Sequence, residues 1–462
     1  MSINSALLAG ASGLISNSSA LAAISDNIAN VNTVGYKRAN SVFTPLYDAG
    51  GSSSDRYSAA GVRSVARLAI GESGLLTPGA SKTDLAISGR GFFVVRDQPQ
   101  AGANDPVSFT RAGRFSADDE GYLRNDAGMY LSGWPVAADG SVVQNPSDLN
   151  TLETINLSSI GGAAQATTSM AINANLQQTQ TVSADEATYD PTVTANNMAS
   201  GNVTPDFQRS VPFYDSVGGV RTLTISLLKS ATPNQWHAEI HMVPAGDIST
   251  GAGLVDGQMA TGTVAFDAQG RLDTGNTTLP TTLDFLSSTN VAPLAANEFQ
   301  WATATGIDAQ SIELDFGSPN APGGFTQYDS PSTLLSTNVN GSAFGNFASV
   351  DVDEEGYVFA KFTNGIVRKI YQVPVATFVN PDGLEAQSGG TFNVTPESGA
   401  YTLSPPGLGS AGNIASSTLE SSNVDLATEF TSLITTQRAY SASSKIITTA
   451  DEMLDEAIRM KR

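Results

Sequence analysis

Apolar residues recur at every seventh position at both ends of the chain. Leu7, Leu14, Leu21 and Ile28 form one series; Leu419, Leu426, Leu433, Tyr440, Ile447 and Leu454 form the other. A sevenfold apolar repeat leaves a narrow stripe along a helix, the seam of a coiled coil. It predicts two helical ribbons, one over Ser2 to Val34 and one closing the chain. Ala6, Ala9, Gly10, Ala11 and Gly13 are small enough to admit a second helix closely. Each glycine also lowers intrinsic helicity by about 1 kcal/mol relative to alanine. Such ribbons are frayed when alone, so they are expected to pair with each other and with the ends of neighbouring molecules. Gly35 reads as the stop of the first helix, with Asn30 and Asn32 just before it. Asn423 reads as the N-cap of the last, with Asp425 and Glu429 in or near its first turns. Arg459, Lys461 and Arg462 suit the negative end of its dipole.

Between the ribbons the period changes from helical to alternating. Ala86 to Val95 mixes glycine with β-branched and aromatic residues, as a buried strand after a turn does. Phe115 to Leu123 reads as strand, acidic-glycine turn, strand. The same pattern recurs at Phe266–Leu272 and Val350–Val358. Leu223, Ile225 and Leu227 alternate with Thr222, Thr224 and Ser226, a half-buried strand, and Trp236, Ala238, Ile240 and Met242 alternate likewise. Val373, Val375 and Phe378 before Pro381, Asp382 and Gly383 suggest a strand and tight turn, and Pro405 to Gly412 marks a linker. The predicted fold class is a mainly β, multi-domain chain with long α-helical terminal segments forming a coiled-coil-like core. Residues 1–35 and 411–462 make the helical domain, and 36–70 an extended connector whose flexible part is Gly50, Gly51, Ser52, Ser53 and Ser54. Residues 71–145 and 336–410 make a discontinuous β domain, into which 146–335 is inserted as an outer β domain.

Composition narrows the chemistry. The 462 residues carry 44 Asp+Glu against 23 Lys+Arg, a formal charge of −21. That argues against nucleic acid and anionic membrane as partners. There is no cysteine, so disulfides, zinc-thiolate sites and thiol nucleophiles are excluded. The N-terminus lacks the basic head and unbroken apolar run of a secretory signal, and no stretch is expected to approach a transmembrane span. The connector stands apart with Arg56, Arg63 and Arg67. These are either solvated loop charges or groups that meet acidic surface on an adjacent subunit.

No constellation supports catalysis, and no cofactor or metal is expected. Asp351-x-Asp353-x-Glu355-Gly356 opens like an EF-hand loop, but Phe362 stands where its bidentate glutamate belongs. Asp118 and Glu120 before Gly121 fail likewise, with Ala127 at that place. Both fit hairpin turns. His237, Glu239 and His241 share one face of a strand, which permits a metal. The preferred reading is a solvent face opposite Trp236, Ala238 and Ile240. There is no nucleophile elbow, phosphate loop or dinucleotide fingerprint.

The ends carry a resemblance. Asp26-Asn27-Ile28-Ala29-Asn30-Val31-Asn32-Thr33-Val34-Gly35-Tyr36-Lys37 resembles the N-terminal signature of the axial rod and hook proteins of the bacterial flagellum. Leu419-Glu420-Ser421-Ser422-Asn423-Val424-Asp425-Leu426, then Gln437-Arg438-Ala439-Tyr440, resembles their C-terminal signature. Asp84 to Phe93 and Phe109 to Phe115 are similar to the shared axial core. Tyr371 to Phe378 with Pro381-Asp382-Gly383-Leu384 is similar to the hook-type second half. The long insert favours the hook proteins over the shorter distal rod proteins. The signature positions here are Asn27, Asn30, Asn32, Gly35, Asn423, Asp425, Gln437 and Arg438. The resemblance implies an extracellular, self-assembling structural subunit, exported through the flagellar export apparatus without a cleaved signal. It implies a homopolymer with rod, hook-cap and hook–filament junction proteins as partners, and no membrane insertion. A distal rod subunit is the nearest alternative; a secreted ligand-binding or enzymatic β-protein is the alternative of another class.

Overall fold

The structure is a computed structural model that describes residues 3–47, 59–100, 106–137, 140–145, 147–318 and 323–460. Gly50 to Ser54, Arg56, Lys461 and Arg462 lie outside the described residues. The chain is mostly β, with an α-helix at each end: α1 (Ile3–Ala29) and α2 (Leu426–Met460). It divides into two compact units. The first holds 1–160, 349–361 and 367–462; the second holds 161–348 and 362–366.

In the first unit, β1 (Ala39–Tyr47) and β2 (Ala59–Leu68) form an antiparallel hairpin with Val42 opposite Val65. The main sheet interleaves the two halves of the sequence. The strand Phe93–Arg96 lies between Val107–Thr110 and Tyr130–Pro135; Tyr130–Pro135 pairs with Val367–Gln372, and Val107–Thr110 with Thr391–Asn393. Two short pairings bring in the approach to α2: Leu85–Ser88 with Asn413–Ser416, and Leu76–Pro78 with Thr418–Glu420. The core is aromatic. Phe378 packs edge-on against Phe92 and Phe109, with ring centroids 5.8 and 4.9 Å apart, and Trp134 is fully buried.

The second unit has a four-stranded antiparallel sheet of Phe207–Tyr214, Val220–Lys229, Gln235–Val243 and Gln258–Ala265. A seven-stranded mixed sheet contains Ser169–Asn175, parallel to Gln310–Asp315. Their shared core includes Trp236, Phe213 and Phe285, and Trp301 stacks on Phe285 at 4.4 Å.

One turn recurs throughout. Asp118, Asp267 and Asp353 each accept, through a side-chain oxygen, the backbone N–H four residues on, at 2.7–2.9 Å. The glycine at the third place has φ of +76° to +87° in all three, the left-handed region that glycine enters without penalty. Asp215 with Gly218 and Asn125 with Gly128 repeat the arrangement. In the EF-hand-like stretches Asp118 and Asp353 are thus turn groups that take backbone N–H bonds, and Asp351 pairs with Lys361 at 2.8 Å.

Four expectations need correction. The strands Val220–Lys229 and Gln235–Val243 are buried on both faces, Ser226 and Glu239 completely. The face with His237, Glu239 and His241 is not open to solvent. Short 3₁₀ turns at 184–188 and 194–196 and the loop after them cover it: Glu239 accepts Met198 N at 3.0 Å and Ala199 N at 2.8 Å, and Met198, Val203, Leu228 and Tyr189 form a small second core. Leu419 belongs to a strand, opposite Thr77, so the helical series starts at Leu426. The first helix ends at Ala29; Gly35 lies beyond it in a turn with φ +69°. Finally, Ala6–Ala29 is long and apolar enough to cross a membrane by length and composition alone. Its Ser, Asn and Gly interruptions are outweighed by Ala, Leu and Ile over that span.

Candidate functional site at the paired chain ends

The two helices run antiparallel along each other. A Cβ on Gly10 would stand 2.9 Å from Ile447 Cγ1, and one on Gly13 would stand 3.0 Å from Ser443 Oγ. Close approach therefore depends on these glycines. The buried stripe of α1 is small over Gly10, Gly13, Ser16, Ala20 and Ala23, and continues through Ile24 and Asn27. Leu7, Leu14, Leu21 and Ile28 border it, each half-buried. On α2, Leu433, Ile447 and Leu454 are half-buried; Leu426 and Tyr440 are 40% and 41% exposed. The pair also leaves large apolar side chains open: Leu8 (65%) and Ile15 (69%) on α1, and Phe430 (52%), Ile434 (51%) and Met453 (55%) on α2.

A second face of α1 is tied to the hairpin through side-chain to backbone bonds. Ser12 Oγ accepts Val62 N at 3.2 Å and Ser16 Oγ donates to Val62 O at 3.1 Å. In the last turn of the helix, Asn27 does the same to β1. Its Oδ1 accepts Ala39 N at 2.8 Å, its Nδ2 donates to Ala39 O at 2.9 Å, and Tyr36 Oη donates to Oδ1 at 3.2 Å. Asn30 closes the turn after the helix, accepting Thr33 Oγ1 at 3.1 Å. Asn32 is exposed.

Below the helices lies a buried ionic cluster. Glu420 is fully buried, and its carboxylate accepts Lys37 Nζ at 2.6 Å, Gly74 N at 2.8 Å and Arg111 Nη1 at 2.9 Å. Lys37 also donates to Glu72 O at 2.5 Å, and Arg111 donates to Gly89 O at 2.9 Å. Arg111 sits 5.1 Å from the Phe92 ring centroid, a cation–π contact. Burial pulls the Lys37 ammonium below its ordinary range, and Glu420 opposes that shift. The Glu420 main chain takes part too, accepting Gly35 N at 2.8 Å. Gly35 itself has no room for a side chain: a Cβ would lie 2.7 Å from Ala112 N and Arg111 C.

Asn423 is part of this junction, not the helix cap. Its Oδ1 accepts Arg38 N at 2.7 Å, and its Nδ2 reaches Ala69 O at 3.3 Å. The cap is Asp425, whose Oδ1 accepts Thr428 N at 2.8 Å and whose acidity that bond increases. Arg38 stands 2.7 Å from Glu429 Oε1 across the first turn of α2, an ion pair without the alignment of a hydrogen bond. Gln437 and Arg438 are exposed, and their side chains have no hydrogen-bond or ionic partner among the described residues. The site therefore unites Asn27, Gly35, Asn423 and Asp425 with three groups not singled out from the sequence: Lys37, Arg111 and Glu420. Arg111 and Glu420 are each a lone charge among apolar or small residues, whereas Lys37 stands beside Arg38.

Four family descriptions match the chain. Residues 7–37 match "Flagella basal body rod protein", 86–179 "Flagellar hook protein FlgE/F/G D1 domain", 175–342 "Flagellar basal body protein FlaE D2 domain", and 415–460 "Flagellar basal body rod FlgEFG protein C-terminal". The flagellar hook protein FlgE of Caulobacter vibrioides is 40% identical over 600 aligned positions that cover 100% of both chains. The chain belongs to the flagellar hook protein FlgE family. The FlgE of Rhizobium meliloti is 33% identical over 464 positions, again with 100% of both chains covered, and that of Escherichia coli is 26% identical over 97% of this chain and 98% of its own. A solved FlgE2 of Helicobacter pylori aligns with 73% of this chain and 98% of its own at 15% identity and a TM-score of 0.42. This hook-family chain is a structural subunit of the bacterial flagellar hook, outside the cell body, and it polymerises. Its relatives are structural proteins, not enzymes.

Proposed function

We propose that copies of this chain assemble into a flexible tube that works as a universal joint, passing motor torque from rod to filament. The reading rests on one observation above others: the α1–α2 pair keeps Leu8, Ile15, Phe430, Ile434 and Met453 more than half exposed. Such a stripe on a lone subunit calls for a cover, and an identical helix pair placed head-to-tail supplies one without closing into a ring. The helical layer, 1–35 with 411–462, lines the tube. No Lys or Arg occurs between Arg124 and Arg209 or between Arg271 and Lys361. Contacts made by such a surface are wet and weak enough to slide as the tube bends. Rod, hook-cap and hook–filament junction proteins are the partners at its ends, and the flagellar export apparatus delivers the subunit.

The test is electron microscopy of purified protein induced to polymerise. Curved tubes are expected. Straight ones favour a distal rod role. Leu433→Asp or Leu14→Asp is expected to abolish tubes while leaving the β-sheet circular dichroism intact; normal tubes from either variant contradict the proposal.

A further inference from the structure

The hairpin β1–β2 has two faces of different chemistry. Cross-strand partners share a face, so Ser41 with Ala66 and Phe43 with Ser64 lie on one side. The Ser41 and Ser64 hydroxyls are buried, which marks the side toward α1. The other side carries Asn40 with Arg67, Val42 with Val65, and Thr44 with Arg63. There Val42 and Val65 are 43% and 41% exposed, and both arginines are exposed. Neither guanidinium has a hydrogen-bond or ionic partner among the described residues. The result is a basic strip with an apolar pair at its centre, in a chain of formal charge −21.

The complementary surface is the far end of α2. Asp451, Glu452, Asp455 and Glu456 are all exposed and carry no ion pair among the described residues. At 3.6 residues per turn they share one side of the helix, away from Ser443, Ile447 and Ala450, which lie toward α1. The hairpin and α2 meet α1 on different faces, through Ser12 and Ser16 on one and Gly10 and Gly13 on the other. The basic strip looks outward from its own α1, so the acidic end that can cover it is another molecule's. Arg63 and Arg67 are about 13 Å apart along the strand, and Asp451 and Asp455 about 6 Å apart along the helix. Arginine side chains are long enough to close that difference.

We propose that the outer face of the hairpin, Arg63, Arg67, Val42 and Val65, docks on the Asp451–Glu456 end of α2 in a second copy of this chain. The contact rests on the polymer reading above and names one interface within it. Opposite charge sets the register of neighbouring copies and suppresses wrong pairings more than it adds affinity.

The absence of cysteine makes the test clean. Arg63→Cys combined with Asp455→Cys, oxidised after polymerisation of the full chain, is expected to give a ladder of multiples of 47.8 kDa on a non-reducing gel. The same protein oxidised while monomeric is expected to give none. Arg63→Glu with Arg67→Glu is expected to raise the critical concentration for polymerisation roughly ten-fold at low salt, and adding Asp451→Lys and Asp455→Lys to restore it. Wild-type protein that forms no tubes defeats the polymer reading itself. Wild-type tubes with no ladder, or with charge reversals that leave the critical concentration unchanged, overturn this interface alone. A cross-link within single chains of 47.8 kDa overturns it too.

Discussion

Glu420→Gln tests whether the ionic cluster holds the chain ends. The Glu420 side chain is 0% exposed, Lys37 1% and Arg111 3%. The substitution preserves shape but removes the carboxylate that both buried cations share. Lys37 and Arg111 are then buried facing an amide, and one amide nitrogen points at a donor. Removing one partner of a buried pair costs about 3–5 kcal/mol, because the stranded charge is what destabilises. Deprotonation of Lys37 limits the loss, since burial already draws its acidity in that direction. The sign follows from proton counting. A lysine with a depressed pKa in the folded state binds fewer protons folded than unfolded, so stability rises with pH between the depressed value and the ordinary 10.5. The variant is therefore expected to recover part of its deficit on going from pH 7 to pH 10. Urea unfolding followed at 222 nm reports α1 and α2. With m near about 3 kcal/mol per molar, the midpoint is expected to fall by roughly 1–2 M. A fall below about 0.3 M, or a deficit that does not shrink at high pH, refutes the idea that the ionic cluster holds the chain ends.

Gly35→Ala forces an L-residue into φ +69° and drives its Cβ to 2.7 Å from Ala112 N and Arg111 C. Backbone strain and overpacking together are expected to cost about 2–5 kcal/mol in the same urea assay; a change under 1 kcal/mol shows that the turn yields. His241, held at about 4 by burial against an ordinary 6.5, is expected to make the second unit acid-sensitive. Unfolded chain binds the extra proton between those values, so stability is full above pH 6.5 and falls by up to roughly 3 kcal/mol toward pH 4. Thermal melts read by tryptophan fluorescence check this, and His241→Gln is expected to flatten the dependence.

What the sequence revealed was local. Sevenfold spacing needs only one chain segment to be read, and so does an acidic residue three places before a glycine in a turn. Asp215-Ser216-Val217-Gly218 obeys the same turn rule, and Asn125-Asp126-Ala127-Gly128 obeys it with an amide oxygen in place of the carboxylate. The closed face of the strand Gln235–Val243 was not legible, because its cover is a stretch of short turns without period. Alternation shows which residues share a face, but not whether something covers it. Asn423 and Asp425 both satisfy the composition of a helix cap; only the bond to Thr428 N separates them. Glu420 is 383 residues from Lys37 and 309 from Arg111, and one sequence holds no signal that pairs charges over such distances.

The chain ends divide their labour between two kinds of contact. Those that fix how the terminal segments leave the β-sheet are polar and buried: Asn27 on Ala39, Asn423 on Arg38, Glu420 between Lys37 and Arg111. Each needs specific geometry and loses heavily when one partner goes. In the proposed assembly the contacts left for a neighbour are apolar and more than half exposed, as at Leu8, Ile15, Phe430 and Ile434. Apolar burial has no directional requirement, so such a surface can shift along its partner without breaking a hydrogen bond. A tube that bends while it turns needs both properties in one subunit: rigid exit angles within each copy, and forgiving contacts between copies. Exchanging them, with buried polar ties placed on the outer faces of α1 and α2, would give a tube that assembles and does not bend.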